Sequence, residues 1–290
     1  MFLGDAAKNS IAGTGSDDVI FGFGGTDVLT GGAGNDGIVG GAGNDGLSGE
    51  AGDDAIDGGS GRDILFGGNG NDSLHGDSGD DQLNGENGRD FLDGGDGADI
   101  LGGGDGNDVM SGGNDADYLQ GLRGSDSLNG GSGDDSLLGF DGNDSLAGAA
   151  GSDRLFGGAG KDILNGNGGA EGVAVLAADT FFFLAASETA AGDQRDVIVQ
   201  FDDVSAAVQD VISLAEMDAN AVSGGNQAFS ATFIAAGAAF TAAAQIRIIQ
   251  NPADLTQRII QLNTDNDVTP EAEILVQSGG SALDASDFVL

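Results

Sequence analysis

The sequence contains no cysteine and no tryptophan, only two prolines and one histidine, and nine Lys or Arg among 290 residues. Absence of cysteine rules out a disulfide framework and any thiolate metal site. A single histidine leaves little for transition metals, which favour nitrogen and sulfur ligands. The few bases stand against 48 Asp and Glu, a net charge of −39. Such a chain repels nucleic acid and anionic lipid and attracts cations or basic partners. No apolar run approaches ~18 residues, so no transmembrane helix is expected. The amino end, MFLGDAAKNS, lacks the basic start and apolar run of a Sec-type signal peptide.

Glycine, by contrast, is abundant, at 57 residues, a share that usually accompanies low complexity or disorder. Register argues for order instead. Residues 31–39 read GGAGNDGIV and residues 40–48 read GGAGNDGLS. Counting in nines from Asp18 lands on Asp27, Asp36, Asp45, Asp54, Asp63, Asp72, Asp81, Asp90, Asp99, Asp108, Asp117, Asp126, Asp135, Asp144, Asp153 and Asp162. These 17 aspartates hold the count without insertion or deletion. Two residues after each stands an aliphatic residue or, once, Met110, and five residues before each stands a glycine. A second glycine precedes the aspartate by two places except at Ser16 and Asp115; an eighteenth unit fades, with Glu171 and Val173 in the aspartate and aliphatic places. Compositional drift does not keep such a period; a solenoid does.

The nonapeptide's geometry follows from strand physics. Three residues make a short strand of about 10 Å, with the aliphatic one pointing inward. The other six reverse the chain, which needs glycine. Two repeats then close an 18-residue coil, and coils stack at about 4.8 Å. Aspartate lies over aspartate, an arrangement that demands a cation. One carboxylate from each of two coils, with turn carbonyls such as those of Gly31, Ala33, Gly40, Ala42, Gly58, Ser60, Gly67 and Asn69, supplies the all-oxygen shell that calcium favours over magnesium. Nine turns on one edge and eight on the other leave about 15 inter-coil gaps at most. Residues 1–169 hold 31 acidic and 6 basic side chains, so the empty roll repels itself and calcium is expected to act as a folding partner.

The unit G-G-x-G-x-D-x-U-x over residues 13–169 resembles the RTX, or haemolysin-type, calcium-binding repeat. That resemblance implies a parallel β-roll with calcium in its turns, ordered only when calcium is present. Weak sites are expected where Ser16, Asp115 and Glu171 depart from the pattern. The expected architecture is all-β: a short lead at 1–12, the parallel β-roll solenoid at 13–169, and a β-rich carboxyl-terminal cap at 170–290.

In that last block glycine gives way to alanine, phenylalanine and β-branched residues. Strands are expected at Thr180–Ala185, Asp196–Phe201, Val211–Leu214, Ile246–Gln250, Arg258–Asn263 and Glu273–Gln277. The run AAGAAFTAAA at 235–244 reads equally as helix or loop. The segments ADTFFFL, DVIVQFDD, DVISLAEMDAN, LNTDNDV and LDASDFVL resemble the carboxyl-terminal module of serralysin-type secreted metalloproteases. This implies an uncleaved signal for a type I (ABC-transporter) secretion system, carried by Asp287-Phe288-Val289-Leu290; the alternative is a strand finishing a sheet. Asn263 to Asp267 starts like an EF-hand loop, but Val268 stands where glycine is required.

Catalytic signatures are missing. There is no HExxH and no G-x-S-x-G, and His75, at an outward place of its repeat, would be the only base for any triad. The G-x-G-x-x-G matches follow from glycine content and lack a following helix. The sequence therefore reads as a non-enzyme: a secreted calcium-binding protein, extracellular or at the cell surface, with a structural, matrix or adhesion role. Expected partners are calcium, the type I transporter during export, and a second copy or a surface or polysaccharide ligand. Phe91, Ile100, Val109 and Tyr118, in one outward place of four successive repeats, are the candidate contact residues. The alternatives are the calcium-binding and secretion module of a larger or partner enzyme (protease, lipase or polysaccharide epimerase), or a small secreted signalling protein of the same repeat class.

Overall fold

The computed structural model describes residues 1–166 and, beyond them, the strands Thr180–Phe182, Asp196–Phe201, Val211–Ser213, Thr232–Ile234, Gln245–Gln250, Gln257–Asn263, Ala272–Ser278 and Phe288–Val289. The chain divides into two units, residues 1–137 and 138–290.

In the first unit, strands alternate between two sheets. Val19–Gly24, Gly37–Ala42, Ala55–Ser60, Ser73–Ser78, Phe91–Asp96, Val109–Asn114 and Ser127–Ser132 lie side by side in one, here the first sheet. Val28–Ala33, Gly46–Ala51, Ile64–Asn69, Gln82–Asn87, Ile100–Asp105 and Tyr118–Arg123 form the second. Every pairing is parallel and offset by 18 residues, as in Ile20↔Ile38, Leu29↔Leu47 and Leu92↔Met110. This is the parallel β-roll with two repeats per coil that the spacing predicts, and no helix occurs among the described residues.

The inward residue of each strand forms the core. Ile20, Leu29, Ile38, Leu47 and their successors through Leu128 are at most 1 % exposed. Each sits on its equivalent one coil away, so a single file of side chains per sheet fills the interior. Burying each one contributes about 1.5–3 kcal/mol.

Strand length differs from the expectation. Strands run six residues, not three, and only three residues, such as Gly34, Asn35 and Asp36, connect them. The cause is that the second glycine of the repeat still pairs with the next coil. Gly32 faces Glu50 and Ala33 faces Ala51 in register, although Gly32 has φ 110° and Glu50 φ 75°. The left-handed residue kinks the strand without ending its ladder. Phe23, Asp77, Glu86 and Leu122 accept the same left-handed backbone as Glu50, a conformation that disfavours any side chain.

The expected lead also joins the pattern. Ile11 pairs with Leu29 within Ser10–Ala12, and Asn9 stands one repeat before Asp18, with Gly4 five residues ahead of it.

In the second unit, Ser145–Ala150 pairs in parallel with Ile163–Asn165, Leu146 facing Leu164. The stacking then outlives the repeat: Leu155 faces Phe181, Phe181 faces Ile212, and Leu164 faces Ile198. From Asp196–Phe201 the sheet passes to Ala272–Ser278 with a register shift between Val199 and Phe201, then turns antiparallel through Gln257–Asn263 and Gln245–Gln250. Phe181, Ile212, Ile260, Ile274 and Val276 are fully buried. Five of the six expected strands agree within two residues at each end, and the one from Thr180 stops at Phe182 among the described residues. Thr232–Ile234 was not expected. The 235–244 run, Glu171, Val173, residues 264–268, Asp287 and Leu290 lie outside the described residues.

Candidate metal centre

Alternate repeats turn at the same edge, so aspartates 18 residues apart stack into columns. Within the first unit one column runs Asp18, Asp36, Asp54, Asp72, Asp90, Asp108, Asp126, and the other Asp27, Asp45, Asp63, Asp81, Asp99, Asp117, Asp135. All of them except Asp18 are 0–3 % exposed. Asp144, Asp153 and Asp162 of the second unit are equally buried.

Each carboxylate is held by one oxygen. The Asp27 N–H donates to Asp45 Oδ1 at 2.7 Å, Asp54 to Asp72 at 2.8 Å, and Asp99 to Asp117 at 2.8 Å. The series extends from the Asn9 N–H, which donates to Asp27 at 2.6 Å, to Asp117, which donates to Asp135 at 2.8 Å. Asp144 donates to Asp162 at 2.8 Å in the same manner. The second oxygen is left over. On every ninth residue from Asp27 through Asp117, Oδ2 is buried and has no hydrogen-bond partner. A buried anionic oxygen in that condition is costly, and eleven of them in two files call for a compensating charge.

The glycine five residues earlier shows where that charge would sit. A Cβ on Gly22 would lie 2.4 Å from Asp27 Oδ2 and 2.6 Å from the Gly40 carbonyl oxygen. On Gly67 it would meet Asp72 Oδ2 at 2.4 Å and the Gly85 oxygen at 2.8 Å. The missing side chain thus opens a cradle into which a carboxylate oxygen and a carbonyl oxygen from the next coil both point. Gly31, Gly40, Gly58 and Gly67 all present their carbonyls in this way, to the cradles over Gly13, Gly22, Gly40 and Gly49. The carbonyls of Ala42, Ser60 and Asn69 accept ladder bonds from Gly25, Gly43 and Gly52, which leaves each one lone pair. Ala33 closes the strand Val28–Ala33, its own N–H donating to Thr14. The donor set is hard oxygen throughout and fits calcium.

The electrostatics reflect the same crowding of buried carboxylates. Burial, against the opposing backbone hydrogen bond, pushes Asp54, Asp63, Asp72, Asp81, Asp90, Asp99 and Asp108 up to about 6, with neighbouring carboxylates adding to the rise. Asp117 is pushed to about 7, and Asp115 contributes. Asp45 and Asp135 are raised for the same first reason. Asp18 is the exception. Its Oδ2 accepts from the Thr14 hydroxyl and N–H, both at 2.8 Å, and the hydroxyl is the main reason its pKa is lowered.

Sequence reasoning missed a second ladder. Where an Asn or Asp stands just before the aspartate, its side chain runs the opposite way and accepts from the next coil: Asp53 N–H donates to Asn35, Asn71 to Asp53 at 2.8 Å, Arg89 to Asn71 at 3.0 Å, and Arg62 to Asn44. Where Asn or Asp holds that place, as at Asn35, Asn44, Asp53 and Asn71, the turn is therefore clamped by two opposed side-chain ladders, one inner and one outer. The signal was present as the recurrent Asn or Asp at that place. Asp115, which replaces a turn glycine, takes φ 74° and keeps the turn's left-handed backbone.

Stacked buried carboxylates over glycine cradles in a parallel coil are the arrangement of a cation-binding solenoid. The RTX calcium-binding nonapeptide repeat family matches residues 3–38, 38–65, 66–101, 75–110, 102–137 and 138–170, and the chain belongs to that family, whose repeats are calcium-binding motifs. No curated protein matches the chain. Among solved structures, it is similar to the AlgE6R3 subunit from the Azotobacter vinelandii mannuronan C5-epimerase, at 25% identity over 61% of this chain and 78% of that one, with a TM-score of 0.29. It is also similar to the AlgE6R2 subunit of the same enzyme, at 22% identity over 63% of this chain and 91% of that one, with a TM-score of 0.30.

Proposed function

We propose that this protein is an extracellular calcium-folded scaffold, exported unfolded by a type I system and ordered by calcium outside the cell. The observation that carries the reading is the two files of eleven buried Oδ2 atoms without partners, each aimed at a glycine cradle that in nine cases a carbonyl oxygen of the next coil also lines. Asp27 through Asp117 would hold the ions between coils, with the carbonyls of residues such as Gly40 and Gly85 completing the shell. Calcium supplies charge compensation there and no covalent chemistry. The chain's own residues do the rest. Oδ1 and the backbone N–H one coil earlier lock register, the glycines keep the cradle open, and the aliphatics exclude water.

The calcium columns serve architecture and not catalysis in this reading, with up to about 15 ions in the roll. The role outside is structural, as a surface, matrix or adhesion element, with a polysaccharide or a second copy as partner. Export through the transporter rests on the resemblance of the carboxyl-terminal segments to serralysin-type modules. A calcium titration followed by far-ultraviolet circular dichroism and hydrodynamic radius tests the reading. A cooperative change from expanded coil to compact β in the millimolar range is expected. A chain already folded in chelator, or indifferent to calcium, would overturn it.

A further inference from the structure

The outer face of the first sheet holds a constellation that the repeat does not require. Outward places line up across the coils there. Asp57, His75 and Asp93 are successive neighbours at one place, and Ala55, Ser73 and Phe91 at another. Because Gly37, Ala55 and Ser73 at that second place are small, an open trough of about 320 Å³ lies along the sheet between Val19 and Phe91, lined by Val19, Gly37, Val39, Ala55, Asp57 and, at its end, Ser73 and His75.

At that end the Ser73 hydroxyl is 3.2 Å from His75 Nε2. The other ring nitrogen, Nδ1, faces Asp93 Oδ2 at 3.8 Å. The imidazole is held against the Phe91 ring, centroids 5.5 Å apart. Nucleophile, base and orienting carboxylate therefore occur in order, on the two nitrogens that acyl transfer employs. Ser73 comes from two residues away on the same strand, and Asp93 from the next coil. At 3.8 Å the pair is beyond hydrogen-bond distance, and the site requires that gap to close once the ring gains a proton and faces the carboxylate as a cation.

We propose that Ser73, His75 and Asp93 form a hydrolytic site for neutral esters with a short aliphatic acyl chain, the chain lying in the trough. This goes beyond the calcium-folded scaffold and departs from the expectation of a chain without catalysis. Gly37, Val39 and Ala55 supply an apolar floor, and Asp57 beside them repels substrates that carry a carboxylate.

The reaction balances with water alone. Ser73 Oγ attacks the ester carbonyl carbon as its proton passes to His75 Nε2. The bond to the alcohol oxygen breaks, and the alcohol leaves with that proton. Water then attacks the acyl group on Ser73, giving a proton to His75, which returns it to Ser73 Oγ as the carboxylic acid departs. Strand N–H groups are engaged in the ladder, so solvent must stabilise the oxyanion. The gain is that of nucleophile and base, about 10²–10⁴-fold over water. Asp93 acts through His75 and is a positioning residue.

The test uses the full calcium-loaded chain and p-nitrophenyl butyrate, with phenylmethylsulfonyl fluoride as a covalent probe. Ser73→Ala and His75→Ala are expected to lose at least 10-fold in kcat/KM while keeping the wild-type circular dichroism, since both side chains face outward. Asp93→Asn is expected to lower kcat with KM unchanged. The sulfonyl adduct should map to Ser73 and not to Ser127, which occupies the same outward place in Ser127–Ser132 with Asn129, not histidine, two residues on. Equal hydrolysis by wild type and Ser73→Ala, or equal labelling of Ser73 and Ser127, would overturn the proposal.

Discussion

A carboxylate whose two oxygens have different fates is the smallest functional part of this protein. Oδ1 of Asp72 accepts from the Asp54 N–H, while its Oδ2 faces the cradle over Gly67. Asp72→Ala removes both and should cost about 1–3 kcal/mol from the lost hydrogen bond and the Asp54 N–H left without a partner, together with calcium equivalents, both read by calorimetric titration. Asp18→Ala should be milder, because Thr14 already occupies its Oδ2. Glycines separate equally well. Gly67→Ala places a methyl 2.4 Å from Asp72 Oδ2, whereas at Gly102 the nearest atom is 4.0 Å away. Calcium stoichiometry should fall for Gly67→Ala and be unchanged for Gly102→Ala.

Acid and calcium should act as alternatives. The folded values of about 6 for Asp54 to Asp108 and about 7 for Asp117 lie above the ordinary 3.8. A raised carboxyl favours the fold in its protonated form. That contribution is complete below about pH 3.8 and vanishes as pH rises through 6 to 7. In chelator, β structure should therefore be greater at pH 4 than at pH 7.5 by circular dichroism. Calcium needs the ionised form, so its binding midpoint should move to higher concentration when pH falls from 7.5 to 5.5.

At the scale of the strand, the inward file and the outer ladder carry separable loads. Leu92 is fully buried between Leu74 and Met110; Leu92→Ala should destabilise by about 2–5 kcal/mol in calcium. Asn71 lies on the outer ladder, donating to Asp53 and accepting from Arg89. Its replacement by alanine should cost about 0.5–1.5 kcal/mol and leave calcium stoichiometry intact, as measured by denaturant titration at saturating calcium. The inward file was legible from the nine-residue count alone, since alternation and period determine which residue points in. The strand ends were not, because a glycine marks both a turn and a kinked strand. Only the pairing of Gly32 with Glu50 shows that the ladder continues through it. The outer ladder was hidden for a related reason: Asn and Asp before the ligand read as turn composition until the coil offset brings them together.

Across residues 1–137, the repeats form a one-dimensional stack in which each touches the repeats one coil away. Stability then sums over neighbours, and a defect such as Asp72→Ala should broaden the calcium transition more than it shifts the average. Net charge of −39 makes the unliganded chain expand, but screening alone should not fold it. Sodium chloride at 0.5 M weakens repulsion between exposed acids and does nothing for a buried oxygen without a partner. The radius in chelator should shrink with salt while the circular dichroism stays that of coil, and magnesium at equal concentration should fall short of calcium.

Period, inward residues, the aspartate columns and the class of ion followed from the sequence by itself, because a fixed spacing of nine allows one way to stack and hard oxygen donors favour one kind of cation. The tertiary structure alone decided the rest. It showed which carboxylate oxygen is spent on register and which is left for the ion, because that depends on a backbone N–H one coil away. It continued the stack through Phe181 and Ile212, where packing replaces the repeat. It also brought Asp93 to a histidine whose other nitrogen faces Ser73, a meeting set by the 18-residue coil offset and not by any contiguous motif.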